Sequence, residues 1–91
     1  MTDERETITR AAISYNGVAY SVPRPGRHHN VIHVMMAAGL PTEAMCLRNQ
    51  GFLTSTGRFV DRYEAARIAR AAGQIIRKPT PPDLLTSEDV W

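Results

Sequence analysis

The stretch TITRAAISYNGVAYSV, residues 7–22, decides the fold of this chain. Asn16-Gly17 stands between two β-prone runs, and this dipeptide suits a two-residue type I′ turn. In that register the facing pairs are Tyr15 with Val18, Ile13 with Tyr20 and Ala11 with Val22. Side chains two residues apart share a face of a strand, so these six line one apolar face. The other face carries small or polar residues, namely Arg10, Ala12, Ser14, Ala19 and Ser21. The stretch therefore predicts a half-buried β-hairpin.

A helix is predicted directly downstream of this hairpin. PRPG, residues 23–26, ends the second strand, because proline cannot donate to a sheet and glycine permits the turn. Apolar residues then recur at helical spacing, at Val31, Ile32, Met35, Met36 and Ala38. Gly39 is placed as a C-terminal cap and Pro41 blocks continuation, so the helix should cover about residues 29–38. Residues 41–49 fit a loop or an irregular helix equally well.

The second half repeats the order of strands and helix. A second β pair is expected over GFLTS and GRFV, joined around Thr56-Gly57. Asp61 can cap a following helix, and Glu64 three residues later would complete a capping box. Its narrow apolar stripe consists of Ala65, Ile68, Ala69 and Ala72. The predicted fold class is α+β, with two β-hairpins forming a small antiparallel sheet packed with two helices.

The length indicates a single domain over residues 1–91. A core built from so short a chain is modest, so we expect a homo-oligomer, a dimer or an assembly of dimers. Residues 1–6 are predicted to be a flexible N-terminus and residues 77–83 a proline-rich connector. Residues 84–91, LLTSEDVW, are too apolar for a solvated tail and are expected to dock, on this chain or on a neighbouring subunit.

Several classes are excluded by composition. Apolar residues make up 43% of the chain, and no run approaches the length that spans a bilayer. The start MTDERET is too acidic for a signal peptide. The single cysteine, Cys46, permits no intrachain disulfide and fits a reducing cytosol as a small apolar residue.

Charge is distributed unevenly along the chain. The net charge is only +2, but residues 7–82 hold ten basic residues and three acids. Ten of the eleven basic residues are arginine, whose planar fork matches phosphate oxygens. The count alone favours a solvated basic surface, but so positive a central segment between acidic ends still indicates an anionic partner.

Histidine and arginine gather first at residues 27–33. His29 and His33 are four residues apart on one helix face, but zinc needs a third ligand, and neither an H-E-x-x-H pattern nor a nearby acid supplies one. Alternatively, His33 is a partly buried histidine hydrogen-bonded to backbone, or His28 and His29 beside Arg27 donate to an anion at the helix N-terminus. These readings remain open at this point.

A second polar patch lies at the second turn, where hydroxyls and cations alternate. Thr54 and Ser55 offer hydroxyls, and Arg58 and Arg62 flank the helix start. They suit a bound phosphate, or else an ordinary ion pair with Asp61. Phe52 and Phe59 flank the turn; each is either core or a platform for a base. No nucleophile elbow, phosphate-binding loop or dinucleotide fingerprint is present, so we expect binding without catalysis and without a cofactor.

The runs RPGRHHNVIHVM, QGFLTSTGRFVDRYEAARIARAAGQI and LLTSEDVW resemble the phage Thoeris anti-defence protein family, first type. The resemblance implies a sponge that captures cyclic ADP-ribose isomers made by immune TIR-domain enzymes and does not degrade them. It implies oligomers of dimers in the cytoplasm of the infected host, with pockets near subunit contacts and, in some members, a separate site for cyclic oligonucleotides. Arg27, His28, His29 and residues 57–62 would line the pocket, with arginines on the pyrophosphate, an aromatic ring on adenine and Asp61 orienting an arginine or a ribose hydroxyl.

Two other functions compete with this interpretation. A small nucleic-acid-binding module would use the same basic residues between 7 and 82, although the sequence contains no recognisable recognition helix. A structural domain with solvated arginines would bind no nucleotide.

Overall fold

The computed structural model describes residues 6–79 and 84–91, and its architecture is α+β as predicted. One antiparallel four-stranded sheet has the strand order β2-β1-β3-β4 and packs with two helices. The elements in chain order are β1 (Ile8–Tyr15), β2 (Val18–Pro23), α1 (His28–Ala37), β3 (Gln50–Thr54), β4 (Phe59–Asp61) and α2 (Arg62–Ala71). Short 3-10 helices occupy Thr42–Met45, Leu47–Asn49 and Ser87–Asp89, so the stretch left open at residues 41–49 is irregular helix.

The first hairpin has the predicted register. Tyr15 pairs with Val18, and Ile13 pairs with Tyr20. Asn16 has φ of 52° and Gly17 of 78°, the two positive values that a type I′ turn requires. The turn chemistry alone therefore fixes the pairing of β1 with β2.

A β-bulge in β1 brings one more residue into the core. Ile8 pairs with Thr54 and Arg10 pairs with Leu53, so two steps along β1 match one step along β3. The extra residue reverses the alternation, and Ile8 becomes fully buried in the same cluster as Ala11. This cluster joins one sheet face to both helices and the tail: Ile8, Ala11, Ile13, Val31, Met35, Ala44, Met45, Phe52, Val60, Ala65, Ala66, Ala69, Leu85 and Val90.

The opposite sheet face carries a small apolar patch that the sequence did not predict. Ala12, expected on a polar face, is fully buried yet lies outside the main core cluster. Its ladder partner Gly51 has no room for a Cβ, which would lie 2.6 Å from the Phe59 ring and 2.2 Å from the Val60 carbonyl oxygen. Because Phe59 pairs with Leu53, its ring lies on this back face and covers Gly51.

The start of α2 confirms half of the predicted capping box. Asp61 Oδ1 accepts a hydrogen bond from the Glu64 amide at 2.8 Å, as an N-cap should. The Glu64 carboxylate contacts Arg58 and Arg67 in place of the Asp61 amide, because those cations attract it more strongly. The first turn of α2 is thus held by one cap and by ion pairs.

The C-terminal tail packs against the core of its own chain. Leu85 and Val90 are buried in the core cluster. Asp89 is 1% exposed and accepts hydrogen bonds from the Thr86 amide and hydroxyl, both at 2.9 Å. Residues 1–5 and 80–83, which hold most of the predicted flexible N-terminus and of the connector, lie outside the described residues. Across the described ranges, no helix has the length and apolar character needed to cross a membrane.

Candidate anion-binding recess

A recess of about 270 Å³ lies where α1, α2 and the tail meet. We call it the Arg27 recess, and its lining consists of Arg27, His28, His29, Leu47, Gln50, Arg62, Thr86, Ser87 and Glu88. Two cations and two imidazoles from distant parts of the chain therefore face one depression, which also has one carboxylate at its rim. Its volume lies just below the ~300–1,000 Å³ of pockets that bury drug-sized ligands. A nucleotide in it would keep part of its surface exposed in a single copy.

The Arg27 side chain is incompletely hydrogen-bonded within the described residues. Its Nη1 is buried and has no hydrogen-bond partner within the described part of the chain. The backbone is meanwhile well held, since the Arg27 amide donates to Asn30 Oδ1 at 2.8 Å at the N-terminus of α1. A buried guanidinium N–H without an acceptor is unfavourable, so this atom is suited to receive an anionic oxygen.

His28 supports the wall of the recess. Its Nε2 lies 2.7 Å from the Gly51 carbonyl oxygen, which can only accept, so Nε2 carries the hydrogen. The ring meets Phe52 edge-on, with the centroids 5.0 Å apart. Burial lowers the pKa of His28 against the smaller raising effect of the Gly51 bond, so the ring is neutral near pH 7. The backbone-bonded role expected of His33 thus belongs to His28, and His33 is exposed.

His29 and His33 are both exposed, and His29 lies on the rim of the recess. In residues 6–79 and 84–91, no three His, Cys, Asp or Glu side chains gather closely enough to hold a metal ion. His29 thus lines the recess next to Arg27.

Arg62 brings the start of α2 into the same recess. Its Nε donates to the Leu85 carbonyl oxygen at 2.9 Å, and the Leu85 amide donates back to the Arg62 carbonyl oxygen at 3.2 Å. The Nε bond occupies one of the five N–H donors of the side chain and fixes the plane of the guanidinium. Arg62 thus lines the recess with its guanidinium held by the tail.

The rest of the second patch is engaged elsewhere. Arg58 forms a bidentate ion pair with Glu6, through Nε at 2.8 Å and Nη2 at 2.9 Å. Thr56 also donates to Glu6, and Ser55 Oγ accepts from the Thr7 amide at 3.1 Å. The Arg58 and threonine hydrogen bonds lower the pKa of Glu6 to about 2, and Glu6 in turn raises that of Arg58.

The sequence offered a bound phosphate or an ion pair as partners of Arg58. In the structure Arg58 forms an ion pair, and its partner is Glu6 instead of Asp61. Thr54 is 3% exposed, and its hydroxyl meets that of Thr56 at 2.9 Å. The structure thus separates the predicted site residues into the Arg27 recess and an ion-paired corner at residues 54–58. Arg62 belongs to the recess, and Asp61 caps α2.

Both phenylalanines lie away from the recess lining. Phe52 is fully buried and contacts the edges of His28 and Trp91, so its ring has no free face for a base. Phe59 lies on the back face of the sheet, because strand alternation points it away from the helices. Phe52 supports His28, and neither ring fits the predicted stacking role in a single copy.

A second depression adjoins the recess and contains an aromatic ring. It shares Leu47, Gln50 and Arg62 with the recess and adds Tyr63 among others. Leu47 is 68% exposed and Tyr63 60% exposed, so both side chains present apolar surface beside Arg62. Sequence reasoning missed Leu47, Gln50, Tyr63 and the tail residues 86–88; the apolar character of the tail signalled docking but not its place.

Fold and site together define a small α+β domain with a recess lined by Arg27 and Arg62, beside a surface that exposes Leu47 and Tyr63. The model of a family described as "Phage T4 y16D protein" matches residues 7–91. The chain belongs to this phage protein family, in agreement with the phage origin that the resemblance implied. No curated protein matches the chain. No solved structure matches it either.

Proposed function

We propose that this phage protein binds and sequesters a cyclic ADP-ribose-type immune signal, and does not degrade it. The pyrophosphate would lie between Arg27 and Arg62, with His29 as a further donor. The base would lie on the adjoining apolar surface, against Leu47 and Tyr63. Stacking of a base on an aromatic ring contributes about 1–3 kcal/mol, so Tyr63 takes the role that the sequence assigned to a phenylalanine.

The observation that carries this proposal is the buried Nη1 of Arg27 without a partner among the described residues. A solvated surface arginine would keep its terminal nitrogens in water, and a structural one would pair them, as Arg58 does with Glu6. A cation that is desolvated before the ligand arrives suits tight capture, because part of the cost of binding is already met in the folded chain.

Capture also favours an assembly of several copies. The recess is open and below the usual volume for enclosing a ligand of this size. A homo-oligomer in which a second copy closes the opening would bury the phosphates further and slow their release. Cyclic oligonucleotides are a further ligand class consistent with the resemblance.

Native mass spectrometry of the protein with a nucleotide panel tests the proposal. We expect cyclic ADP-ribose isomers to appear as bound mass, with one ligand for each recess, and to be recovered intact after denaturation. Arg27→Met should remove the bound species, whereas Arg10→Met, an equal charge change at an exposed site outside the recess, should retain it. Recovery of cleaved product would refute sequestration and indicate an enzyme, and the lack of any bound nucleotide would refute the ligand class.

A nucleic-acid-binding module remains the second candidate, because exposed Arg67 and Arg48 extend the positive surface beyond the recess. It predicts binding to long RNA or DNA that weakens steeply with salt, with a slope close to the number of phosphates contacted. A gel shift at low salt separates the two functions. A shift that Arg27→Met leaves unchanged would favour the nucleic-acid function.

A further inference from the structure

The C-terminal tail touches both cationic walls of the Arg27 recess. At one end, Trp91 Nε1 donates to the Gly26 carbonyl oxygen at 2.9 Å, directly before Arg27. Arg24 lies over the same indole ring, 5.0 Å from its centroid. The short turn that delivers Arg27 into the recess is therefore anchored on Trp91, and the edge contact of that ring with Phe52 anchors it on the core.

At its other end the tail holds the second cation. Leu85 exchanges two hydrogen bonds with Arg62, one to the guanidinium and one to the backbone. Leu85 is fully buried, so this contact is shielded from water. The orientation of the Arg62 guanidinium thus depends on the tail as much as on α2.

The segment between these two ends is stiff. The Asp89 carboxylate accepts from Thr86 and, at 3.3 Å, from Arg77 Nε, while the Asp89 carbonyl oxygen accepts from the Ile76 amide at 2.7 Å. Charge-assisted bonds to a buried carboxylate are strong and short-ranged. The distance between the Leu85 and Trp91 ends is consequently set by the tail itself.

We propose that Trp91 is a positioning residue for the ligand, because the tail of residues 84–91 clasps Arg27 and Arg62 at a fixed separation. Ligand binding and tail docking are then coupled, since each stabilises the same arrangement. This inference rests on the proposed function for its ligand, but the clasp itself can be measured without one.

The ligand-free measurement is amide hydrogen exchange of wild type and Trp91→Phe. Phenylalanine keeps a ring against Phe52 and Arg24 but has no N–H for Gly26. We expect faster exchange in the first turn of α1, residues 28–31, with unchanged exchange in the β1–β2 hairpin as an internal control. Equal acceleration of exchange in both places would show a general loss of stability. Unchanged exchange in residues 28–31 would show that Trp91 does not position the start of α1. Either result would refute the proposed clasp.

The binding measurement uses cyclic ADP-ribose as the probe. Loss of one hydrogen bond in the clasp should weaken binding about tenfold. Val60→Ala is the matched control, because it removes buried volume from the core outside both the tail and the recess lining, and it should bind more tightly than Trp91→Phe at similar melting temperature. Equal affinities of wild type and Trp91→Phe, or of the two variants, would overturn the inference.

The sole tryptophan of the chain supplies an independent signal. Since Trp91 lies outside the recess lining, a change in its fluorescence on adding cyclic ADP-ribose reports the coupling, and a constant spectrum on saturation counts against it. If wild type binds no probe, the proposed function fails while hydrogen exchange still decides the clasp. If Trp91→Phe does not fold, Arg24→Gln removes the cation over the ring from an exposed position and takes its place in both measurements.

Discussion

Replacing Arg27 by methionine should move stability and binding in opposite directions. Methionine has a long unbranched chain without charge, so it fills the space of the arginine stem. The buried Nη1 has no partner within the described residues, and an unpaired buried polar group costs about 1–3 kcal/mol. Removing it should therefore stabilise the ligand-free protein by about 1 kcal/mol. In a domain of this size that is a rise of about 4–8 °C in melting temperature.

Binding should weaken in the same variant. Hydrogen bonds from a charged group contribute about 1.5–3 kcal/mol, which corresponds to about 10- to 150-fold in affinity. Calorimetric melting without ligand and titration with cyclic ADP-ribose measure the two effects. Arg10→Met is the control, and as an exposed substitution it should stay within about 0.5 kcal/mol of wild type. A fall in melting temperature with unchanged affinity would show that Arg27 is structural and would refute the reasoning.

Three further predictions concern stability. Because the pKa of His28 is lowered in the folded protein, its contribution to the free energy of unfolding is complete above its ordinary pKa of 6.5 and is lost as the pH falls below that value. The melting temperature should therefore fall less between pH 7.5 and pH 5 in His28→Gln than in wild type. Parallel falls in the two proteins would contradict this. The pKa of Glu6 is about 2 against an ordinary 4.5, so its contribution to the free energy of unfolding is complete above pH 4.5 and is lost as the pH falls toward 2. Glu6→Gln should remove this part of the loss of stability in acid. The matched variant Arg58→Gln should have the same effect. Gly51→Ala should cost at least about 1–3 kcal/mol in chemical denaturation, because its Cβ would collide with the Val60 carbonyl and the Phe59 ring; a neutral result would show that the back face yields easily.

The sequence predicted the fold well where local chemistry decides it. The Asn16-Gly17 turn set the β1–β2 register, and Asp61 capped α2 where expected. Such signals act over a few residues, so a linear reading captures them. The bulge next to Ile8 escaped prediction, because it depends on how β1 pairs with β3, more than forty residues away.

The candidate site was only half readable for the same reason. Arginine and histidine at residues 27–29 marked the recess, and Arg62 does meet them there. Arg58 does not, since its pairing with Glu6 joins residues 52 apart in sequence. In the sequence the two phenylalanines appear equivalent, because they flank the same turn. Side chains alternate between the two faces of a sheet, however, and in the observed register Phe52 lies in the core and Phe59 on the back face. Tail contributions to the recess are set by tertiary packing alone.

The bond between Trp91 and Gly26 spans 65 residues, and this separation has a consequence for folding during synthesis of the chain. During translation the β1–β2 hairpin and α1 can form as soon as they leave the ribosome. The turn before Arg27 cannot gain its hydrogen bond from Trp91 until that residue is also free of the ribosome. Docking of the tail on this turn is therefore a later event than formation of the first hairpin, and the proposed ligand binding would follow it.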